Sequence, residues 1–247
     1  MKEEKQTAIY LEHVTKSFGE KHVLRDVSLP IQEGEAVCLL GRSGMGKSVT
    51  LKLMIALLKP DKGHVWIGNR DISRLEREEL SRVRRKIGFL FQSAALFDSL
   101  NLHDNLALPL RRMTDKSKAQ IEEIVHNVLG EVGLAGDAQT MPVDLSGGMK
   151  KRAGLARALV LEPEILLVDE PSSGLDAITA SEIDELLLRR KMRQNTTMVI
   201  VTHDPQGARR TGDRFAVLDQ GRLIAFGTPP ELERHPSEVV RNLMAER

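Results

Sequence analysis

The sequence predicts an α/β fold with a mixed, mainly parallel core sheet, an antiparallel β-subdomain at the N-terminus and a helical insert in mid-chain. Three observations predict it. Short alternating segments open the chain, an apolar run near residue 40 feeds a glycine-rich turn and a helix, and two later apolar runs flank one long helical pattern. With 247 residues, 41% hydrophobic, the chain is long enough for one large core and a small subdomain.

From Ala8 to about Ile31, "AIYLEHV" and "HVLRDVSLPI" are separated by the turn "FGEK" and read as antiparallel strands with one covered face. The run "AVCLLG" is a third strand. It holds Cys38, the only cysteine, as a small buried hydrophobe, which excludes an internal disulfide and any multi-cysteine metal site. "KSVTLKLMIALL" has helical spacing up to the turn cluster "KPDKG", and the strands "HVWIG" and "IGFLFQ" follow, separated by the charged helix "REELSRVRRK". Between Ser93 and Leu145 the pattern turns helical, with Ile121, Ile124, Val125, Val128, Leu129 and Val132 on one stripe.

The strands "EILLVDE" and "TMVIVTHD", joined by the helix "ASEIDELLLRRKMRQ", form a βαβ unit and so a parallel pair. "FAVLDQGRLIAFG" is a closing hairpin. The tail "ELERHPSEVVRNLMAER" is one or two amphipathic helices anchored by Leu232, Val239, Val240 and Leu243. One domain over 1–247 is expected, with a core from 8–92 and 158–228, an insert over 93–157 and a tail over 229–247. The basic runs "RVRRK" and "RRKMR" read as solvated helix faces, with contact to anionic lipid as the lesser option.

Lys and Arg number 36 against 35 Asp and Glu, so no overall field favours nucleic acid. The N-terminal "MKEEKQTAIYLEH" lacks the apolar heart of a signal peptide, and no stretch approaches the ~20 apolar residues of a membrane span. A cytosolic chain is expected, and any membrane segment must come from a partner.

"GRSGMGKS" matches the phosphate-binding P-loop pattern at Gly41, Gly46, Lys47 and Ser48, with a strand before it and a helix after it. The glycines let backbone N–H groups face phosphate oxygens, Lys47 reaches the β and γ phosphates, and Ser48 holds Mg²⁺. Asp169 and Glu170 end the strand "ILLVDE". Two acids ending a strand are by themselves more often a helix cap or a surface pair, but beside a P-loop Asp169 fits the orientation of Mg²⁺ and Glu170 the polarisation of the attacking water. His203 ends the neighbouring strand. It is either an ordinary strand-end histidine or a bridge from Glu170 to the γ-phosphate. Gln92 ends another strand at the entrance to the insert, within reach of Mg²⁺ or the water.

A second phosphate-binding end lies at "LSGGMKKR", where Ser146 offers a hydroxyl, Gly147 and Gly148 bare backbone, and the following helix its N-terminus. One chain cannot easily fold it onto its own P-loop. A head-to-tail homodimer can, with ATP between each P-loop and the other copy's "SGG".

In this order and spacing the P-loop, Gln92, "LSGGM", "ILLVDE", "SGLD" and His203 resemble the ATPase subunit of ABC transporters, over nearly the whole chain. The resemblance implies a P-loop NTPase fold with a RecA-like core, and ATP and Mg²⁺ as ligands. Gly41, Arg42, Ser43, Gly44, Met45, Gly46, Lys47, Ser48 and Val49 then form the nucleotide loop. Phe18, rather than Tyr10, stacks on adenine, and Ser173 and Asp176 sit at the dimer seam. Met149 departs from the Gln usual after "LSGG"; hydrolysis is expected to survive that change. Met149, "FQSAALFDSLNLHDNLALPL" and "DEPSSGLD" are similar to the Mla-type ATPases of bacterial phospholipid transport.

The implied partners are a second copy and an integral membrane permease at the cytoplasmic face of the inner membrane, with a small regulatory subunit and an MCE-type substrate-binding protein as further candidates. Leu96, Phe97 and Leu100, near Asp98, either line a groove for a permease helix or fill the insert's own core. An amino-acid or lipoprotein transporter ATPase is the alternative. A DNA-repair ATPase or a ribosomal factor fits less well, since the chain has no long heptads, no zinc-module cysteines and only one such domain.

Overall fold

The two alternating segments open the chain as β1 (Thr7–Phe18) and β2 (Lys21–Gln32), antiparallel in the computed structural model, which describes residues 6–245. The first five residues of the charged N-terminal lead and the last two residues of the predicted tail lie outside the described residues. β3 (Ala36–Leu40) leads through the glycine turn into α1 (Lys47–Met54), and β4 (Lys62–Ile67), β5 (Arg70–Asp71), α2 (Arg77–Arg84) and β6 (Ile87–Leu90) follow. The insert supplies α3 (Leu102–Met113) and α4 (Lys118–Glu131), and α5 (Gly147–Leu159) leads back to the core. β7 (Ile165–Asp169), α6 (Ala177–Gln194), β8 (Thr197–Val201), α7 (Pro205–Thr211), β9 (Arg214–Asp219), β10 (Arg222–Gly227), α8 (Pro229–Glu233) and α9 (Glu238–Ala245) complete the chain.

Two sheets result, one of four strands ordered β2-β1-β4-β5 and one of six ordered β10-β9-β3-β8-β7-β6. The first is antiparallel, and in the second only β10 runs against its neighbour. The apolar runs are continuous because the core strands are covered on both faces. Val37, Leu39, Ile165, Leu167, Val199 and Val201 enter the cluster shared with the antiparallel sheet and α1. Their alternates Cys38, Leu40, Leu166, Val168, Met198 and Ile200 enter the cluster under α5, α6 and α7, as a period of two requires. Each large side chain so buried contributes about 1.5–3 kcal/mol. Cys38 is fully buried and desolvation pushes its thiol up to about 12, so it behaves as the small hydrophobe expected.

The insert has its own cluster, in which Ile121, Val125, Leu129 and Val132 are buried and Ile124, Val128 and Leu96 pack against them. Leu100 is half-buried. Of the three residues near Asp98, only Phe97 stays largely exposed, at 51%. In the tail, Leu232, Val240 and Leu243 are buried beneath the second core cluster, and Val239 faces out.

Several local expectations are corrected. α1 stops at Met54, four residues before the predicted end. Ala56 turns to φ 53°, and the Arg84 guanidinium takes the carbonyls of Ile55 and Ala56 at 3.0 and 2.9 Å. Arg84 therefore closes a helix end instead of facing solvent. In the second basic run Arg190 is buried and Lys191 reaches Asp213 at 2.6 Å, so neither run is a simple solvated face. α6 starts at Ala177, earlier than its periodicity suggests, because the Asp176 carboxylate accepts the N–H groups of Ile178 and Thr179.

Candidate active site

β3, β8, β7 and β6 are mutually parallel neighbours, so the residues that follow Leu40, Val201, Asp169 and Leu90 emerge at one sheet edge. At that edge the structure gathers the P-loop, His203, Glu170 and Gln92. A cleft of about 360 Å³ opens there, lined by Phe18, Lys21 and Val23 of the antiparallel sheet, by Ser43, Gly44, Gly46, Lys47, Ser48 and Val49 of the P-loop and α1, and by Gln92 and Glu170. Phe18 is 47% exposed at the end of β1, with the Lys16 ammonium 5.4 Å from its ring. Tyr10 is elsewhere, on the outer face of the antiparallel sheet opposite Pro30 and Trp66.

The cleft fits a polyphosphate. Gly46, the N-cap of α1, sits at φ 97° and offers no side-chain acceptor, so the first N–H groups of the helix keep their donor capacity for an anion. A Cβ at Gly46 would meet Leu24 at 2.7 Å and the Val23 carbonyl at 3.0 Å, which ties the loop to glycine there. The Lys47 ammonium folds over its own loop, donating to the carbonyls of Gly41 at 2.5 Å and Arg42 at 3.2 Å. Burial pulls Lys47 below the usual lysine range, and Glu170 and Asp169 oppose that shift. Met45 packs its sulfur against the N–H of Gln220 at 3.2 Å, outside the cleft lining.

The Ser48 hydroxyl donates to Asp169 Oδ1 at 2.9 Å, which joins two of the three expected magnesium ligands directly. Burial raises the Asp169 carboxyl above its ordinary range; Glu170 adds to the rise, while the Ser48 hydrogen bond and the Lys52 and Lys47 charges resist it. A divalent cation favours such an anionic oxygen beside a hydroxyl, with phosphate and water completing its shell. Glu170 leaves β7 at φ 51°, in the left-handed region, and its Oε2 lies 2.6 Å from His203 Nδ1. Its side chain is 12% exposed and that of His203 67%, so the pair runs from the sheet edge toward solvent.

Ser146, Gly147 and Gly148 contribute nothing to this cleft lining. Ser146 caps α5 by accepting the N–H of Met149 at 3.2 Å, which leaves its hydroxyl proton free to donate. The two glycines divide in role. A Cβ at Gly147 would meet only Leu175, at 3.7 Å, whereas one at Gly148 would strike Thr179 at 2.5 Å, so Gly148 allows α5 to approach α6. Met149 turns into the insert's cluster. Ser173 and Asp176 lie in the turn after Glu170, with Ser173 Oγ donating to the Glu170 carbonyl at 3.0 Å. Lys21 and Val23 of the cleft lining went unmarked in the sequence, and so did Lys151, 7% exposed, whose ammonium reaches the carbonyls of Gln92 and Glu170. For Lys151 only the cost of burying a lysine is a signal, and periodicity is not.

A nucleotide loop after β3, an acidic pair at the end of β7 and a histidine just beyond β8, the strand between them, define an ATP-hydrolysing P-loop cassette. The family model described as ABC transporter matches residues 24–173. The chain is 44% identical over 237 residues to the probable ribonucleotide transport ATP-binding protein mkl of Mycobacterium leprae, covering 96% of this chain and 68% of that protein. It is 37% identical over 227 residues to the intermembrane phospholipid transport system ATP-binding protein MlaF of Haemophilus influenzae, covering 92% and 86%. A solved ATP-binding cassette, dimeric in a post-hydrolysis state with ADP and Pi bound, superposes with a TM-score of 0.83 at 36% identity, covering 89% of this chain and 98% of that one. The chain spans about two thirds of the length of the mycobacterial relatives it matches. The chain belongs to the ABC transporter family, as an ATPase that binds ATP with Mg²⁺. No helix among the described residues is long and apolar enough to cross a membrane.

Proposed function

We propose that this chain is the ATPase of a phospholipid transporter, closing as a head-to-tail homodimer around two ATP and driving a membrane permease from the cytoplasmic face. The observation that carries the dimer is the presence of two phosphate-binding ends on one chain that do not meet. The cleft holds the P-loop, Gln92 and Glu170, and the Ser146 end of α5 is no part of its lining. The dimeric relative with ADP and Pi supports the same arrangement.

Phe18 stacks on adenine, the loop from Gly41 to Val49 wraps the phosphates, and Lys47 neutralises charge that develops on the γ-phosphoryl group. Ser48, Asp169 and Gln92 hold Mg²⁺, which when bound offsets phosphate charge. Glu170 orients the attacking water and accepts its proton, and His203 steadies Glu170 through the 2.6 Å contact. Ser146, Gly147 and Gly148 of the second copy cap the γ-phosphate.

Closure leaves through the insert, residues 93–157. A groove of about 400 Å³ lies between the edge strand β6 and α3, lined by Phe89, Phe91, Phe97, Leu108 and Pro109 together with Arg112 and Arg157. Arg157 holds this wall by donating to the carbonyls of Ala94 and Ala95 and lies over the Phe97 ring at 5.9 Å. An apolar floor with one aromatic anchor suits a short permease helix. Phe97→Asp is expected to lower recovery of the permease with this chain by about tenfold or more, as burying a charge at such an anchor implies. Recovery at the parental level would remove the groove from the docking site.

The lipid assignment rests on "FQSAALFDSLNLHDNLALPL" and Met149, and on the match to the phospholipid-transport relative over most of its length. The ribonucleotide name of the mycobacterial relatives marks the competing cargo. Purification of the native membrane assembly identifies the permease, any small regulatory subunit and any MCE-type protein. Reconstitution in vesicles then decides the cargo: ATP-dependent transfer of labelled phospholipid is expected, and nucleotide uptake without lipid transfer would contradict it.

A further inference from the structure

We propose that Lys151 is a positioning residue for hydrolysis, which pins the backbone of Glu170 to the signature helix α5 and to the entrance of the insert. Its ammonium has three protons and three acceptors: the Gln92 carbonyl at 2.6 Å, the Glu170 carbonyl at 2.8 Å and Ser173 Oγ at 3.2 Å. At 7% exposure it has little water to fall back on, so its partners must stay in place. Ser173 Oγ also donates to the Glu170 carbonyl, so four groups form one node.

Glu170 needs such a fastening. Its φ of 51° is unfavourable for a residue with a Cβ and persists only where the surroundings over-determine it. Its N–H is held by the Val201 carbonyl at 2.8 Å, its carboxylate by His203 and its carbonyl by Lys151 and Ser173. Of these, only Lys151 comes from α5.

That helix belongs to both bodies of the chain. Ala153 and Ala156 pack in the insert's cluster, whereas Leu155, Ala158 and Leu159 pack in the core. Ser146 caps the same helix five residues before Lys151, a rise of about 7.5 Å. A displacement of α5 when Ser146 grips the second copy's nucleotide is thereby passed to Glu170 of its own copy. This last step rests on the head-to-tail reading above; the fastening of Glu170 does not.

Lys151→Met keeps the aliphatic stem and removes the ammonium. In the full-length protein with Mg-ATP, kcat is expected to fall about 20-fold with the ATP dissociation constant within about twofold, as a misplaced general base predicts. Lys151→Arg, which retains charge and donors, is expected to stay within about threefold of the parent. Ser173→Ala alone is expected to cost about threefold in kcat, and to add nothing to Lys151→Met, since both act through one node. A parental kcat in Lys151→Met overturns the proposal, as does a loss traced to weaker ATP binding or an equal loss in the Arg variant. Should Lys151→Met fail to fold, a parental rate in Ser173→Ala overturns it instead. Glu170→Gln in the same assay separates the two readings: turnover there removes the role of Glu170 itself, while silence there beside a parental Lys151→Met removes only the fastening.

Discussion

Glu170→Gln is expected to stop steady-state ATP turnover, by about 10³-fold or more, and to leave ATP bound in an accumulated dimer. The substitution is isosteric, so the left-handed backbone, the Val201 and Lys151 hydrogen bonds and the packing of the turn are retained. What disappears is the carboxylate 2.6 Å from His203, and with it the group able to accept a proton from water. In the proposed binding mode the contacts to ATP come from Phe18 and the P-loop and are untouched, so ATP is expected still to close the two copies. Removal of one negative charge near the γ-phosphate favours that closed state further. Rate measurements paired with light scattering at saturating ATP test both halves. A variant that stays monomeric and hydrolyses at the parental rate contradicts the role of Glu170.

Lys47→Ala is expected to lose affinity and turnover together, the first by about 10²-fold and the second by about 10³-fold. The ammonium is enclosed, paired with the carbonyls of Gly41 and Arg42, and faced by Asp169 and Glu170. Without it the cleft presents two carboxylates to a polyanion with no side-chain cation deep in the loop to offset them. No ATP-dependent dimer should accumulate, in contrast with Glu170→Gln. Fluorescent-nucleotide titration measures the first loss and phosphate release the second. Affinity within a few-fold of the parent would mean that the backbone N–H groups alone carry triphosphate binding.

The core was legible because its strands are covered on both faces and its phosphate loop is local in sequence. "AVCLLG", "ILLVDE" and "TMVIVT" are apolar without interruption, and each packs its alternate residues into two different clusters. The insert stripe at Ile121, Val125 and Leu129 was equally plain, because a helix buries one face at a fixed period. The convergence of Gln92, Glu170 and His203 followed from parallel strands ending on one edge.

What escaped depends on contacts between distant segments. Arg84 ends α1 across 28 residues of sequence, and Arg190 is buried although it sits in "RRKMR". Leu96 turned inward while its neighbour Phe97 stayed out, a choice set by α3 and α4 and not by local composition. α7 is seven residues long and starts from the Asp204 cap and Pro205, too short for a periodicity to register. Lys151 read as one more lysine in "MKKR", since two of its acceptors are main-chain carbonyls 59 and 19 residues away, which no side-chain pattern encodes.

The central claim is that one copy's P-loop and the other copy's Ser146 grip the same nucleotide. Ser43→Cys and Ser146→Cys introduced into the Glu170→Gln chain test it directly, since the buried Cys38 thiol, pushed up to about 12, stays unreactive. With ATP present, a short bifunctional thiol reagent should join position 43 of one copy to position 146 of the other and yield a covalent dimer. Failure of any such crosslink between copies, with ATP, with ADP or without nucleotide, would contradict it.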